Sequence, residues 1–231
     1  MKKTLILLSF ILAFALTAQA QITLPVTDNF TSAGADLSWD DYDSSYEVVE
    51  SFAPSAPGGD GYIMNVNDGS GWQKIHLTDD DGSLGNYKIT AYIYMASSDG
   101  TNWGRIGIFG RAQSIGYLSD CYYIFADTDG DDYLRVGRYY DGNHASWENY
   151  IDPPGSITRD AWHKFELTLS GSRIAAEIDD VEKYSGMDAT HWSAGYFGIL
   201  NRLATTSAPV TRCDRITIEE DTSDVSDWSV Y

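Results

Sequence analysis

Basic residues are scarce. Against 34 Asp and Glu, the 231 residues hold 15 Lys and Arg, for a formal net charge of −19. A chain of that sign repels phosphate backbones, so nucleic acid is excluded as a partner for sequence-independent binding. Cysteine is scarcer still, at 2. Two cysteines cannot build a disulfide-stapled scaffold, and neither has ligands at zinc spacing beside it. Long apolar runs are missing apart from residues 5–16, which fall short of the roughly 20 a membrane span needs. Extended helical periodicity is missing too, and no G-x-S-x-G occurs, which excludes the nucleophile-elbow hydrolases.

What is present points one way. Hydrophobic residues make up 43% of the chain, enough for a real core, so disorder is excluded as the overall state. Seven Trp, 16 Tyr and 21 Gly favour strands and turns. Lys2 and Lys3, the apolar run and Ala18-Gln19-Ala20 together make an export signal over 1–20. Cleavage after Ala20 removes two lysines and no acid, so the mature chain is more acidic still. The expected location is extracellular, with the periplasm or the cell surface as alternatives, and no membrane span is expected.

From residue 27 the pattern alternates with period two between turn clusters. In 86–95, Tyr87, Ile89, Ala91, Ile93 and Met95 share one face, with Lys88, Thr90, Tyr92 and Tyr94 on the other. Ile106 and Ile108 alternate with Arg105, Phe109 and Arg111. The runs 121–126 and 133–140 flank Asp127-Thr128-Asp129-Gly130-Asp131-Asp132 as a hairpin. Further strands are expected over 162–169, 173–178, 196–200 and 214–218, with shorter ones over 46–50, 62–66 and 72–77. Roughly a dozen short strands without helix predict an all-β, two-sheet antiparallel sandwich. The domain spans 21–219. Residues 220–231 form an acidic linker or open a further domain, since Asp224–Tyr231 echoes Asp36–Tyr42. A Cys121–Cys213 bond would close a loop of roughly ninety residues, worth about 4–5 kcal/mol on chain entropy, and two buried thiols remain the alternative.

The order of segments carries a resemblance. Asp28-Asn29-Phe30, Asn86-Tyr87-Lys88-Ile89-Thr90-Ala91, Gly107-Ile108-Phe109-Gly110-Arg111-Ala112 and Cys121-Tyr122-Tyr123-Ile124-Phe125 come first. Trp162-His163-Lys164-Phe165-Glu166-Leu167, Gly195-Tyr196-Phe197-Gly198-Ile199 and Cys213-Asp214-Arg215-Ile216-Thr217-Ile218 follow. Together they resemble the laminin-G-like, concanavalin A-like lectin/glucanase jelly rolls over nearly all of 27–219. That superfamily hosts lectins, carbohydrate-binding modules, glycoside hydrolases, polysaccharide lyases and adhesion domains, so the resemblance implies a fold before a function.

Catalysis finds weak support in the residues. Glu177-Ile178-Asp179-Asp180-Val181-Glu182 resembles the E-x-D-x-x-E of family 16 glycoside hydrolases, whose two carboxyls must stand about 5–5.5 Å apart. It lies late in the domain, and Asp179-Asp180 reads as a hairpin turn. Gln73 and His76 only loosely resemble the alginate-lyase pattern, and His144, His163 and His191 are scattered. The 127–132 run lacks the Glu that closes an EF-hand loop. Asp214 shares parity with Ile216 and Ile218 and should point inward, where a bare carboxylate needs a partner or a metal. The resemblance implies one structural calcium ion held by acids near the two chain ends, with Asp28 and Asp214 as ligands; capping of backbone N–H groups is the alternative.

A sugar site combines an aromatic platform with forked polar groups. Trp103, Arg105, Arg111, Tyr123, Arg138 and Trp147 are the expected ligand-binding set, on strands that the resemblance places in or beside the concave sheet. Ordinary cross-strand Tyr–Arg pairing is the rival reading of the same residues. The expected partner is a polysaccharide or glycan. A hydrolase or lyase, and a structural or adhesive spacer, remain alternatives.

Overall fold

The structure is a computed structural model that describes residues 22–37, 39–42, 44–50, 57, 62–68, 71–77, 82–95, 104–114, 120–127, 133–140, 143–144, 149–152, 157–188, 192–203 and 211–222. Among them lie sixteen strands and no helix. The first eight are β1 (Val26–Asp28), β2 (Trp39–Tyr42), β3 (Ser44–Glu50), β4 (Tyr62–Asp68), β5 (Gly71–Leu77), β6 (Tyr87–Met95), β7 (Gly104–Ala112) and β8 (Cys121–Asp127). They are followed by β9 (Tyr133–Tyr140), β10 (Asn143–His144), β11 (Asn149–Asp152), β12 (Ala161–Ser170), β13 (Arg173–Ile178), β14 (Val181–Met187), β15 (Tyr196–Leu203) and β16 (Thr211–Glu220).

They form two antiparallel sheets of eight strands. The first runs β14-β13-β12-β6-β16-β4-β3, with β1 on β16; the second runs β10-β9-β8-β7-β15-β5-β2, with β11 on β9. This is the expected two-sheet jelly roll. Its core follows from the alternation. Tyr87, Ile89, Ala91 and Ile93 of β6 meet Ile106 and Ile108 of β7, Tyr122 and Ile124 of β8, and Phe197 and Ile199 of β15 between the sheets. At about 25 cal/mol per Å² of apolar surface removed from water, each fully buried Ile, Leu or Phe contributes about 1.5–3 kcal/mol.

Strands that alternate can hide a second face. Cys121, Tyr123 and Phe125 belong to a separate buried cluster with Phe109, Ala112 and Leu200. Since Tyr122 and Ile124 face the other sheet, this cluster covers the outer side of the second sheet. All seven residues of β8 are therefore buried.

The two cysteines are free and buried. Cys213 packs between the sheets while Cys121 sits on the outer side of the second, so a full sheet separates the thiols and the two-thiol reading holds. Burial, then the carboxylates of Asp214 and Asp28, push the Cys213 thiol well above its usual range.

The strands expected to flank 127–132 pair antiparallel, with residues 128–132 outside the described set, and the hairpin at Asp179-Asp180 forms. Cys121 pairs with Tyr139 and Asp127 with Tyr133, so Asp127 ends β8 ahead of the turn. Asp179 and Asp180 take φ of 53° and 63°, the left-handed pair of a type I′ turn. Asp179 accepts from the Lys164 backbone N–H at 2.9 Å and its other oxygen meets His163 Nδ1 at 2.7 Å. Those contacts tie the turn to β12. The stretch 224–231 lies outside the described residues.

Candidate functional site

The outer face of the second sheet is built by β7, β8 and β9 in register. Arg105 pairs with Asp127, and Arg135 stands opposite Phe125. Asp127 is 3% exposed, a position where an unpaired carboxylate would be prohibitive. Two guanidinium groups make it tolerable: Arg105 Nε donates to Oδ2 at 2.9 Å and Arg135 Nη2 lies 3.3 Å from the same oxygen. Both also stand over the Phe125 ring, at 5.4 and 5.9 Å from its centroid. Tyr123 leans on Phe125 with centroids 4.8 Å apart.

Two glycines let these rings lie flat. A Cβ on Gly107 would fall 2.0 Å from Ile124 O and 2.7 Å from Phe125 Cβ, and one on Gly137 would meet the Tyr123 hydroxyl at 3.1 Å. The centre of the face is sealed, while Arg105, Tyr139 and Tyr196 at its margin are half-buried. Phe125, Tyr123, Asp127 and Arg135 thus form a buried layer, and the accessible groups are Arg105, Tyr139 and Tyr196 at its margin.

Of the six residues expected to bind ligand, this face holds Arg105 and Tyr123. Arg111 does not join them. At β7 and β15, Phe109 pairs with Gly198 and Ala112 with Tyr196, so Gly110 and Arg111 together oppose Phe197. This bulge, with Arg111 at φ 51°, reverses the alternation: Ala112 joins the outer cluster and Arg111 turns inward. Arg111 is 1% exposed. Its Nε and Nη2 donate to Gly85 O at 3.0 and 2.7 Å, and Nη1 donates to Gly171 O at 2.7 Å and Trp192 O at 3.1 Å. Burial lowers its pKa. Arg111 is a structural clasp between loops, not a surface fork.

Arg138 also falls elsewhere. It pairs with Tyr122 and so shares the inward parity, where Nη1 donates to Asp188 Oδ2 at 2.8 Å. Trp103 and Trp147 lie outside the described residues. Arg135, in contrast, was missed by the sequence reading; the alternation Tyr133, Arg135, Gly137, Tyr139 along β9 carried the signal for it.

Asp28, one of the two acids expected at a structural calcium ion, is engaged by N–H donors. Its Oδ1 accepts from Phe30 N at 2.9 Å and Asp36 N at 3.0 Å, and its Oδ2 from Leu37 N at 3.1 Å and Trp39 Nε1 at 2.8 Å. Four N–H donors fill the lone-pair positions of one carboxylate and leave none for a metal. The capping alternative is what the fold uses. Asp214 points inward as its parity predicted, and is fully buried. Among the described residues no group of three or more His, Cys, Asp or Glu could hold a metal ion.

The acidic run that resembles a hydrolase motif is not in a cleft. Glu177, next to the end of β13, pairs with Glu182, next to the start of β14, and the two strands form an edge hairpin of the first sheet. His76 and Gln73 are paired in β5 with Gly198 and Asn201.

A scan of the sequence against protein-family models finds no match, and neither does a search of curated proteins. Solved structures do match. A carbohydrate-binding module, CBM66, from Bacillus subtilis superposes with a TM-score of 0.53 at 14% identity, covering 80% of this chain and 98% of that one. The exoplasmic/lumenal domain of VIP36, in a Ca2+/Man2-bound form, gives 0.57 at 11% identity, covering 87% and 88%. A family 16 endo-glucanase from Bacteroides ovatus gives 0.50 at 12% identity, covering 84% and 99%. The fold is thus the concanavalin A-like jelly roll shared by carbohydrate-binding modules, lectins and family 16 glycoside hydrolases. At these identities the likeness is one of fold.

Proposed function

We propose that this chain is an exported carbohydrate-binding domain of laminin-G-like type, which holds a polysaccharide against the outer face of the second sheet. The observation that carries the reading is Arg105, half-buried at the edge of this face and held by Asp127 over Phe125, with the half-buried Tyr139 and Tyr196 on the same face. A sugar ring offers an apolar C–H face and a hydroxyl rim, and such a surface matches both. Arg105, Tyr139 and Tyr196 are its accessible groups, while Tyr123 and Arg135 lie buried beneath and hold the cluster in place. Trp103 and Trp147, which precede β7 and β11 in the sequence and lie outside the described residues, are the remaining residues of the proposed site. Residues 1–20 act as the export signal, and the extracellular space is where the domain works.

Binding is favoured over hydrolysis because the acidic run of 177–182 is a tied edge turn, with Asp179 held by Lys164 N and His163. The test is retention of the full chain on a panel of polysaccharides, with the soluble fraction assayed for released sugar. The Trp103→Ala, Trp147→Ala double variant should lose retention at least tenfold while unfolding at the same temperature as the wild type. Undiminished retention would remove the second sheet as the binding face.

A further inference from the structure

A different face of the molecule holds an arginine whose guanidinium donates no hydrogen bond among the described residues. On β16, Cys213 pairs with Ile93 of β6 and Ile216 with Ala91, so two residues, Asp214 and Arg215, stand opposite Tyr92 alone. This second bulge sends Asp214 inward and Arg215 outward, and it re-aims a side chain as bulges near functional sites do. Arg215 lies with its Cζ 4.9 Å from the centroid of the Tyr92 ring. Among the described residues its guanidinium has neither a hydrogen bond nor an ion pair, although the chain carries a net charge of −19.

Around that stacked pair is an open groove of about 330 Å³ on the outer face of the first sheet, a size within the range of small-ligand sites. Lys164, Asn29 and Thr90 line it, with Thr27 and Thr217, whose hydroxyls lie 3.1 Å apart. Among the described residues that line it there is no carboxylate, and the nearby Glu166 is taken up by Thr90 and Lys164. The nearby lysines are already engaged: Lys164 by Glu166 at 2.9 Å and by Asp180, Lys88 by Glu219 at 2.7 Å and Glu166 at 3.5 Å. Arg215 has no such neutralising partner. Stacking on Tyr92 fixes the plane of the guanidinium, which leaves its forked N–H edge to pair with two oxygens of one oxyanion.

We propose that this groove is a second binding site, for a sugar residue that carries an oxyanion, a uronate or a sulfated sugar. Arg215 takes the oxyanion through its fork, and the threonine hydroxyls and the Asn29 amide pair with ring hydroxyls. The choice of a sugar rests on the carbohydrate-binding reading of the chain; the choice of an anionic one rests on Arg215 alone. The two bulges play opposite parts: the one in β7 buries Arg111 as a clasp, and the one in β16 presents Arg215.

The test is isothermal titration of the full chain with a uronic acid tetrasaccharide, with its carboxyl-reduced neutral counterpart, and with a sulfated form of that neutral sugar. At least one charged form should bind no less than tenfold more tightly than the neutral sugar, and which one does identifies the oxyanion. Arg215→Gln should lower that affinity at least tenfold with unchanged thermal unfolding, and Asn29→Asp should lower it by placing a like charge in the groove. Retention on neutral polysaccharide, read in parallel, should survive Arg215→Gln, and its absence would count against the second-sheet site instead. Equal affinity for charged and neutral sugars, or wild-type binding by Arg215→Gln, would overturn the proposal.

Discussion

Arg111 and Arg215 show how much one backbone step decides for a side chain. The alternation of β7 put Arg111 on the face of Arg105 and Phe109, and a single extra residue reversed it. Four donor contacts to three part-buried carbonyl oxygens now depend on its guanidinium. Arg111→Ala should destabilise the fold by about 2–4 kcal/mol, since it strips partners from part-buried acceptors and opens a cavity where a buried side chain stood. Chemical denaturation measures this, and a loss under about 1 kcal/mol would mean that water replaces the clasp. Asp28 makes a parallel case. Asp28→Asn turns an amide toward N–H groups that need an acceptor, for a loss of about 2–4 kcal/mol. That loss should be equal in calcium and in chelator. A difference that vanishes in chelator would restore Asp28 as a metal ligand.

At the scale of strands, most of the architecture was legible because one face of each strand is apolar. Tyr133–Tyr140 and Arg173–Ile178 form over the bounds the alternation indicated. β8 was legible as a strand but not as a doubly buried one, because Cys121, Tyr123 and Phe125 pack outward under cover that no period reveals. The bulges were not legible at all, for each is set by pairing with a distant strand: Gly110-Arg111 with Phe197, Asp214-Arg215 with Tyr92. That is why the site was read in part, with Arg105 and Tyr123 placed and Arg111 and Arg138 misplaced. Gly107 tests the account of the outer face. Its missing Cβ lets β8 approach, so Gly107→Ala should force β7 from β8 and lower the melting temperature by more than about 5 °C, an effect of over 1 kcal/mol. An unchanged melting temperature would mean that the two strands have slack between them.

Across the whole molecule, pH should act chiefly on the alkaline side. Burial raises the Cys213 thiol, burial and then Asp188 raise the Tyr122 phenol, and the Asp180 hydrogen bond followed by Glu166 raises Lys164. In each case the folded state keeps its proton to higher pH than the unfolded chain does. Stability from these groups is therefore complete below the unfolded values, about 8.5 for the thiol and about 10 for Tyr and Lys, and falls as pH rises beyond them. Melting temperatures should decline from about pH 8.5, and Cys213→Ala should delay the onset toward pH 10. A decline that begins at the same pH in that variant would show that the thiol does not contribute.

The central claim is that this sandwich binds polysaccharide and leaves it intact. It is tested most directly by incubating the full chain with a panel of soluble and insoluble polysaccharides, neutral and acidic, and measuring both retention and released reducing ends. The account predicts retention on at least one member with no release, and for neutral polysaccharides the retention should hold as salt rises from about 20 to 300 mM, because no charge pair forms with them. Release of reducing ends that Glu177→Gln abolishes, or failure to retain any polysaccharide on the panel, would contradict it.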